Sequence, residues 1–308
     1  MTDVEHADEG TKRLAFTTKN YRVVYPAIDP TRAELSQQGK VIVITGASRG
    51  LGRLSFAASF AQAGAAAIVL IGRSASGLVE TEKLVLEINP SIKVLRFALD
   101  VIDETAVNNA FKEITAQVGV PHVLINNAGN LAPLVSTVES SLDSWWNCHE
   151  VTVKGTFLVT KAFIKETGSS PSAPTSIITI TSQASLGTPP GMGAYSMAKL
   201  ALSKLMAYIA SEHPDITAVV LDPGIVATEM GHSVPFLAPF LNDTPELVGG
   251  SGVWLASGDR KYLSGRYVSA NWDVEEIERR KDEIVSENQL KYFIKANFAN
   301  YDDVTVQY

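Results

Sequence analysis

The sequence is short of cysteine, of clustered positive charge and of long apolar runs. Its 308 residues contain one cysteine, Cys148, which excludes an intramolecular disulfide and suits a reducing compartment. Lysine and arginine total 26 against 33 acidic residues, a net charge of −7, and no basic block stands out, so we expect no nucleic-acid partner. Apolar stretches stay below the roughly 18 residues of a transmembrane helix, so we expect no membrane span.

The sequence also shows no secretory signal and no metal-binding motif. Residues 1–10 are acidic and carry no apolar run, which argues against a signal peptide. The histidines His149, His213 and His232 have no metal-ligand spacing, and there is no cysteine cluster for zinc. Hydrophobic residues make up 45% and charged residues 19%, which is ordinary for a globular protein with a large core. We therefore expect a cytoplasmic protein without a metal.

Short apolar strands alternate with amphipathic helices through most of the chain. The β-branched run at residues 41–44 predicts a strand buried on both faces, and residues 53–63 predict a helix. A second strand follows at residues 67–71. Further helices are predicted at 78–88, 104–118, 142–165, 194–211 and 245–256, and further strands at 93–99, 122–125, 176–181, 217–221 and 266–269. This alternation predicts an α/β fold, a single-domain, doubly wound parallel sheet of the Rossmann type.

The two ends of the chain depart from that alternation. Residues 1–39 predict an N-terminal arm that packs along the surface, and residues 40–271 form the domain. Residues 272–308 are predicted to form a C-terminal helical extension. Asp273 and Glu276 have the spacing of a capping box, which predicts a charged helix after them.

A glycine-rich turn lies between the first strand and the first helix. Its pattern is Gly46-x-x-x-Gly50-x-Gly52. Glycine permits a tight turn and lets a pyrophosphate approach the backbone, while the helix N-terminus presents free N–H groups and a positive dipole. The alternative is a tight turn without a ligand. Between a strand and a helix, the motif predicts a dinucleotide site.

The residues after the second strand bear on the type of dinucleotide. An acidic residue there would bind the adenosine ribose of NAD. The chain instead has Gly72 followed by Arg73 and Ser74, and Arg73 can pair with a 2′-phosphate. Arg49, inside the glycine turn, is a second candidate. The alternative is that both arginines are solvated surface residues, but the pattern predicts a preference for NADP(H) over NAD(H).

Tyr195 and Lys199 lie four residues apart on a predicted helix and therefore share one face. An ammonium close to a phenol favours the phenolate, so this pair predicts a Tyr195 pKa below its usual value of about 10. Such a tyrosine can exchange protons near neutral pH. Taken alone, the same spacing is more often a solvated helix face than a site.

Together these motifs resemble the classical short-chain dehydrogenases/reductases over residues 40–271. The residues that carry the resemblance are Thr45 to Gly52, Asn126 to Gly129, Ser182, Tyr195, Lys199, Pro223, Gly224 and Thr228. The resemblance implies that residues 40–271 are a dinucleotide-binding catalytic domain, and the two extensions look like a fungal branch of the family. It also implies a homodimer or homotetramer built on the central helices, although the C-terminal tail could cover that surface.

The resemblance further implies which residues contact the cofactor. Asp100 and Val101 would lie beside the adenine, and Pro223 to Thr228 would flank the nicotinamide and its phosphate. The implied cofactor-binding residues are Gly46, Ser48, Arg49, Gly50, Leu51, Gly52, Arg73, Ser74, Asp100, Val101, Asn127, Ala128, Gly129, Thr181, Tyr195, Lys199, Pro223, Gly224, Val226 and Thr228.

The implied catalytic residues are Ser182, Tyr195, Lys199 and Thr152. Ser182 would hydrogen-bond the substrate oxygen, Tyr195 would exchange the proton, and Lys199 would lower the tyrosine pKa and bind the nicotinamide ribose. Thr152 is a departure, because the family usually has an asparagine there that helps hold a water linking the lysine to solvent. Threonine offers one shorter hydroxyl. Either the relay is rebuilt, or turnover is slower, or the protein does less redox chemistry than its motifs suggest.

The substrate loop implied by the resemblance lies at about residues 229–247. Three prolines stiffen it, and its apolar side chains, with those that could add to them, are Phe236, Leu237, Phe240, Leu241, Leu186, Met192 and Met230. They predict a hydrophobic ketone, aldehyde or secondary alcohol as substrate. The alternative is that they pack in the core or at a subunit contact. Two other functions stay open on this fold, a catalytically silent cofactor-binding protein and a non-redox enzyme.

Overall fold

The computed structural model describes residues 14–168, 171 and 173–293. Its centre is a parallel sheet of seven strands in the order β3-β2-β1-β4-β5-β6-β7. In chain order these are β1 Val41–Thr45, β2 Ala67–Gly72, β3 Lys93–Ala98, β4 Val123–Asn126, β5 Thr175–Ile180, β6 Ile216–Asp222 and β7 Tyr267–Ser269. The order reverses between β1 and β4, and sheets of this type bind their ligands in a crevice outside the carboxyl ends of the strands at such a point. The predicted doubly wound fold is confirmed.

The helices form a layer on each side of the sheet. In chain order they are α1 (Gly52–Ala57 continued by Ala58–Gln62), α2 (Ala75–Ile88), α3 (Glu104–Val118), α4 (Leu142–His149, Glu150–Lys154 and Gly155–Thr167), α5 (Gly193–Glu212), α6 (Glu229–His232), α7 (Pro245–Leu255), α8 (Val274–Arg279) and α9 (Lys281–Ser286). α1 packs against α2 and α7, and α4 packs against α3 and α5. Every residue of β1 and β2 is buried, as the unbroken apolar runs predict.

Helix α4 differs from its prediction as one regular helix. Its middle segment, Glu150–Lys154, is a π-helix, and α1 begins in the same way. A hydrophobic period of 3.6 residues does not reveal a single widened turn, so the sequence could not predict it. The widened turn carries Thr152, one of the predicted site residues. No helix in the described ranges has the length and apolar character to cross a bilayer.

The N-terminal arm, described from Leu14 onward, lies against the chain that follows β7. The Tyr21 N–H donates to the Asn271 carbonyl at 2.7 Å. The Tyr25 hydroxyl donates to the Trp272 carbonyl at 3.0 Å and accepts from the Val274 N–H at 2.8 Å. Tyr25 is buried, and burial raises the pKa of its hydroxyl. Residues 1–13 of the predicted arm lie outside the described residues.

The predicted capping box at Asp273 and Glu276 is wrong in its second half. The Asp273 carboxylate does cap α8, accepting from the Glu275 N–H at 3.0 Å. The Glu276 carboxylate instead accepts from the Thr18 N–H of the arm at 2.8 Å, and the Asp273 N–H donates to Thr17 Oγ1 at 3.0 Å. The Asp273 N–H and the Glu276 carboxylate, which would bond to each other in a capping box, therefore bond to the arm instead. The charged region forms two short helices, α8 and α9, and residues 294–308 lie outside the description.

Candidate active site

The glycine turn after β1 has the shape of a phosphate cradle. Gly46 and Gly50 have φ values of +64° and +53°, which favour glycine. A Cβ on Gly46 would lie 2.9 Å from Asn127 Nδ2, and a Cβ on Gly52 would overlap the Gly46 carbonyl oxygen. Glycine at these positions therefore lets the turn pack against its own backbone and against the turn after β4, at the N-terminal end of α1. Ser48 and Leu51 lie in this turn and its first helical residues, both half-buried.

The turn after β4 is joined to the glycine turn by hydrogen bonds. Asn127 Nδ2 donates to the Thr45 carbonyl at 2.9 Å and to the Gly46 carbonyl at 3.2 Å. Thr45 Oγ1 accepts from the backbone N–H groups of Asn127 and Ala128 at 3.0 and 3.1 Å. These bonds fix two of the predicted cofactor segments at the point where the strand order reverses.

Arg53 supports the glycine turn from behind, and sequence reasoning missed it. Its guanidinium donates to the Ser48 carbonyl, to the Gly77 carbonyl at 3.0 Å and to Thr81 Oγ1 at 3.0 Å. Thr81 Oγ1 in turn donates to the Ala47 carbonyl at 2.7 Å. The sequence does not indicate this role, because an arginine in the first turn of a helix is usually a solvated surface residue.

The two arginines predicted to select NADP(H) are exposed and carry acidic neighbours. Arg73 Nη1 lies 3.9 Å from Asp100 Oδ2, and Arg49 forms an ion pair with Glu229. Such exposed pairs hold their side chains weakly, so both guanidinium groups can turn toward an anion. Ser74 follows Arg73 and caps α2, accepting from the Gly77 N–H at 3.1 Å.

The predicted adenine contacts lie at the neighbouring strand end. Asp100 follows β3 and its carboxylate accepts from the Ile102 N–H at 3.3 Å. Val101 is buried, and a Cβ on Gly155 would lie 3.2 Å from Val101 Cβ. Helix α4 thus approaches this strand end through a glycine, and Arg73, Asp100 and Val101 lie along one side of the crevice.

Ser182, Tyr195 and Lys199 come together at the carboxyl end of β5. Ser182 follows the strand, and its hydroxyl accepts from the Ala184 N–H at 3.2 Å and interacts with the hydroxyl of Tyr195, which lies in the first turn of α5. Lys199 lies one helical turn further on, with Nζ 5.6 Å from the centre of the Tyr195 ring. Its ammonium donates to the Ile180 carbonyl at 2.7 Å, and Thr181 Oγ1 donates to the Lys199 carbonyl at 3.1 Å. The strand end and the helix therefore fix one another.

The prediction that Lys199 brings the Tyr195 pKa below its usual value is wrong. Burial raises the pKa of Tyr195 to about 12, because it disfavours the phenolate more than the Ser182 hydrogen bond favours it. Burial also lowers the pKa of Lys199 to about 8. The prediction from spacing considered only the charge four residues away, and it left out the removal from water of the buried Lys199 and the half-buried Tyr195.

Thr152 lies beneath the lysine on the π-helical turn of α4. It is fully buried, its hydroxyl interacts with the Cys148 thiol, and no hydrogen bond of regular geometry reaches that hydroxyl within the described part of the chain. A Cβ placed on Gly129 would lie 3.5 Å from Thr152 Oγ1 and 3.6 Å from Lys199 Nζ, so both polar atoms border the same point.

Asp222 adds a buried carboxyl to the site that sequence reasoning did not single out. It ends β6, accepting from the Gln183 N–H at 3.1 Å and from the Ser269 hydroxyl at 3.2 Å. Burial raises its pKa to about 6. Because Gln183 follows Ser182, the carboxyl helps to set the position of that serine.

The segment after β6 forms the far wall of the crevice. Gly224 follows Pro223 with φ of +72°, and Val226 is buried. Thr228 caps α6, its hydroxyl accepting from the Gly231 N–H at 3.1 Å. Gly50 of the glycine turn faces it, since a Cβ there would lie 4.0 Å from Thr228 Cγ2. The predicted phosphate and nicotinamide segments therefore face each other.

The loop that follows is apolar at its surface. Leu186, Met230 and Phe236 are exposed, whereas Met192 is buried, and residues Pro235–Phe240 form a 3₁₀ helix. Leu237, Phe240 and Leu241 are half-buried. Within the described residues, no group of three His, Cys, Asp or Glu side chains could hold a metal ion.

Comparisons with known proteins agree with this geometry. A sequence model of the short chain dehydrogenases matches residues 40–235. The short chain dehydrogenases mpl6 of Monascus purpureus and citE of Monascus ruber are each 36% identical over 290 residues, covering 90% of this chain and 96% of the relative. The short chain dehydrogenase andI of Emericella variicolor is 32% identical, covering 90% and 95%.

Solved structures share the fold at lower identity. A short chain dehydrogenase of Shigella flexneri complexed with NADP superposes with a TM-score of 0.70 at 24% identity, covering 78% of this chain and 99% of that one. Levodione reductase superposes with a TM-score of 0.70 at 23% identity, covering 76% and 96%. At these identities the likeness concerns the fold.

Proposed function

The chain belongs to the short-chain dehydrogenase family of oxidoreductases, and on this premise we propose that it is an NADP(H)-dependent enzyme. It transfers a hydride between the nicotinamide and a hydrophobic ketone, aldehyde or secondary alcohol. The observation that carries the proposal is the cluster of Ser182, Tyr195 and Lys199 at the same edge of the sheet as the glycine cradle. Serine and tyrosine hydroxyls can converge there on one substrate oxygen.

Each residue has a role that follows from its position. The Ser182 hydroxyl donates a hydrogen bond to the substrate oxygen, and the Tyr195 hydroxyl gives its proton to that oxygen in reduction or accepts it in oxidation. Lys199 would hold the ribose hydroxyls of the bound cofactor, and it places a positive charge near the phenol. When bound, the nicotinamide supplies or accepts the hydride, which is the cofactor's own chemistry. The Gly46, Gly50 and Gly52 backbone would hold the pyrophosphate.

Replacement of Tyr195 by phenylalanine tests the catalytic assignment. We expect Tyr195→Phe to lower kcat for ketone reduction by about 10²- to 10⁴-fold, the usual contribution of a positioned acid or base. Affinity for NADPH, measured by fluorescence titration, should stay unchanged because the phenol is not needed for the cradle. Tyr208→Phe, on an exposed part of the same helix, is the matched control. Full activity in Tyr195→Phe would refute the mechanism.

The preference for NADP(H) rests on Arg73 and Arg49. Both are exposed cations at the edge of the crevice where an acidic residue would otherwise exclude a 2′-phosphate, and a fold relative binds NADP. Arg73→Ala should lower kcat/KM for NADPH by about tenfold or more while leaving that for NADH nearly constant. Lys19→Ala, in the arm, serves as a control for loss of a surface cation. An unchanged NADPH/NADH ratio would show that Arg73 does not select the cofactor.

A second candidate is a cofactor-binding protein without turnover. The departure at Thr152 supports it, because a single short hydroxyl lies beside Lys199 where a proton relay would pass. The two functions separate in one assay. NADPH that binds but is not consumed with a panel of hydrophobic ketones and aldehydes supports the silent protein, whereas consumption with any of them supports the enzyme.

We also propose a homodimer built on α4 and α5. These neighbouring helices expose the side chains Trp146, Phe157, Met197, Leu200 and Tyr208. Burial of such side chains against a second copy removes apolar surface from water. Leu200→Glu should shift the sedimentation coefficient toward that of a monomer, whereas an unchanged value would place the interface elsewhere.

A further inference from the structure

A buried carboxylate lies behind the proposed nicotinamide wall. Asp243 ends the loop that follows α6, and its side chain is fully buried. Oδ2 accepts from the Ile225 N–H at 2.6 Å, while Oδ1 accepts from Asn271 Nδ2 at 2.7 Å and from Arg22 Nη1 at 2.9 Å. The carboxylate thus connects three distant parts of the chain, the wall, the segment after β7 and the N-terminal arm.

The wall is shaped around this carboxylate. Gly224 has φ of +72°, and a Cβ on it would overlap Asp243 Oδ2 and lie 2.8 Å from Asn271 Oδ1. The Asp243 N–H also donates to the Ile225 carbonyl at 3.2 Å. Ile225 therefore has both of its backbone polar groups on Asp243, so the position of the carboxylate sets the position of the turn Pro223 to Ile225.

Arg22 brings a positive charge to this carboxylate from the arm. Its carbonyl also accepts from the Thr244 N–H at 2.9 Å, at the residue that caps α7. The adjacent residue, Tyr21, exchanges two hydrogen bonds with Asn271, one through its N–H at 2.7 Å and one through its carbonyl at 2.8 Å. The backbone of the arm is thus bonded to the chain on both sides of the carboxylate, and these bonds fix the position of the Arg22 guanidinium relative to Asp243.

The physical need for Arg22 follows from burial. Burial raises the pKa of Asp243, and the Ile225 N–H and the guanidinium act against that rise. A buried carboxylate that loses its cation is destabilised far more than an exposed one, and it protonates or moves. Either response changes the acceptor of the Ile225 N–H. Arg22 and Asp243 both lie outside residues 40–235, the segment that the family's sequence model matches.

We propose that Arg22 of the N-terminal arm is a positioning residue for the nicotinamide half of the cofactor site. It acts through Asp243 on the turn Pro223 to Ile225, and the proposal rests on the proposed function of that turn as the nicotinamide wall. The arm is therefore part of the active site's support, reaching it across 221 residues of sequence. The adenine half, built by the glycine cradle and Arg73, does not depend on Arg22.

Because only the nicotinamide half of the site depends on Arg22, its loss should weaken binding of the whole cofactor but not of a ligand that lacks nicotinamide. General instability would weaken the binding of both. In Arg22→Gln, affinity for NADPH should fall by about tenfold, a typical coupling between linked sites. Affinity for 2′,5′-ADP, which carries the 2′-phosphate and adenine but no nicotinamide, should stay unchanged. kcat should fall more than KM for the carbonyl substrate rises, because a displaced wall changes the hydride geometry.

The experiment compares wild type, Arg22→Gln, and the control Arg32→Gln, an arginine of the same arm that pairs with exposed Glu34. Binding of NADPH and of 2′,5′-ADP is measured by isothermal calorimetry on the full chain. Hydrogen–deuterium exchange of residues 223–228 is measured on the cofactor-free protein. We expect faster exchange at the Ile225 amide only in Arg22→Gln, and partial recovery of NADPH affinity in Arg22→Gln/Asp243→Asn, where no charge is left unpaired.

Equal loss of affinity for both ligands, or unchanged exchange at Ile225 with unchanged NADPH affinity, would overturn the proposal. If Arg22→Gln does not fold, Arg22→Lys keeps the charge with a shorter reach and should show the same selective defect in weaker form. Failure of wild type to bind NADPH would refute the proposed function instead, and the exchange experiment would still decide whether Arg22 positions the turn.

Discussion

Replacing Lys199 with methionine is expected to make the folded protein more stable at pH 7 and to abolish its activity. The ammonium is buried at the end of β5, where it donates one hydrogen bond to the Ile180 carbonyl and lies over the Tyr195 ring. Methionine has a similar length and no charge. The variant therefore removes the buried charge while filling most of the same space.

The magnitude follows from the pKa of Lys199. Burial lowers it from 10.5 to about 8, and each unit corresponds to about 1.4 kcal/mol, so the charged form costs about 3 kcal/mol at pH 7. The Ile180 carbonyl loses its partner, at a cost of about 1 kcal/mol. We expect a net gain of about 2 kcal/mol in the free energy of unfolding, which for a chain of this length is a rise in Tm of about 3 °C.

The same pKa fixes the pH dependence. Between pH 8 and 10.5 the unfolded chain keeps its proton on this lysine while the folded chain has released it, so wild type gains stability as the pH rises through that window. Below pH 8 both states are protonated and the full cost is present. The advantage of Lys199→Met should therefore be largest below pH 8 and disappear toward pH 10.5.

Urea unfolding of wild type, Lys199→Met and Lys204→Met at pH 7 and pH 10 measures this difference at one protein concentration. Lys204 lies on the same helix and is exposed, so its variant should stay within about 0.5 kcal/mol of wild type at both pH values. The reasoning is refuted if Lys199→Met is less stable than wild type at pH 7 by an amount that does not change with pH.

Two further variants test the cradle and the proton relay. Gly52→Ala places a Cβ against the Gly46 carbonyl oxygen. It should weaken NADPH binding, measured by titration, by at least about tenfold, and it should lower the free energy of unfolding, measured in urea, by about 1–3 kcal/mol. Thr152→Asn should raise kcat with little change in NADPH affinity, because an amide offers the acceptor and donors that one hydroxyl lacks. Thr152→Val, which is similar in shape to threonine, is the control. Equal kcat in wild type and both variants would show that Thr152 carries no relay.

The sequence was sufficient for those features that depend on local pattern. The fully buried β1 and β2 follow from unbroken apolar runs, and the cradle follows from three glycines between a strand and a helix. Both are properties of a short stretch of chain. The clustering of Ser182 with Tyr195 needed the family pattern as well, because a strand end and a helix start meet only through the order of the sheet.

The sequence was insufficient where tertiary burial or distant pairing decides. The Tyr195 pKa depends on removal from water, which a spacing of four residues does not report. Asp243 and Arg22 lie 221 residues apart in segments without a period, so neither carries a local signal. The failed capping box has the same origin, because Thr18 of the arm takes the carboxylate of Glu276.

The distribution of buried charge favours a catalytic role over a structural one for this edge of the sheet. Asp222 has a pKa raised to about 6 and Lys199 a pKa lowered to about 8, so at pH 7 burial disfavours the charged form of each by about 3 kcal/mol. Apolar residues at both positions would make a more stable sheet edge. A fold that keeps two such groups beside a half-buried phenol sacrifices stability at the point where proton transfer would occur, as enzymes do at their active sites.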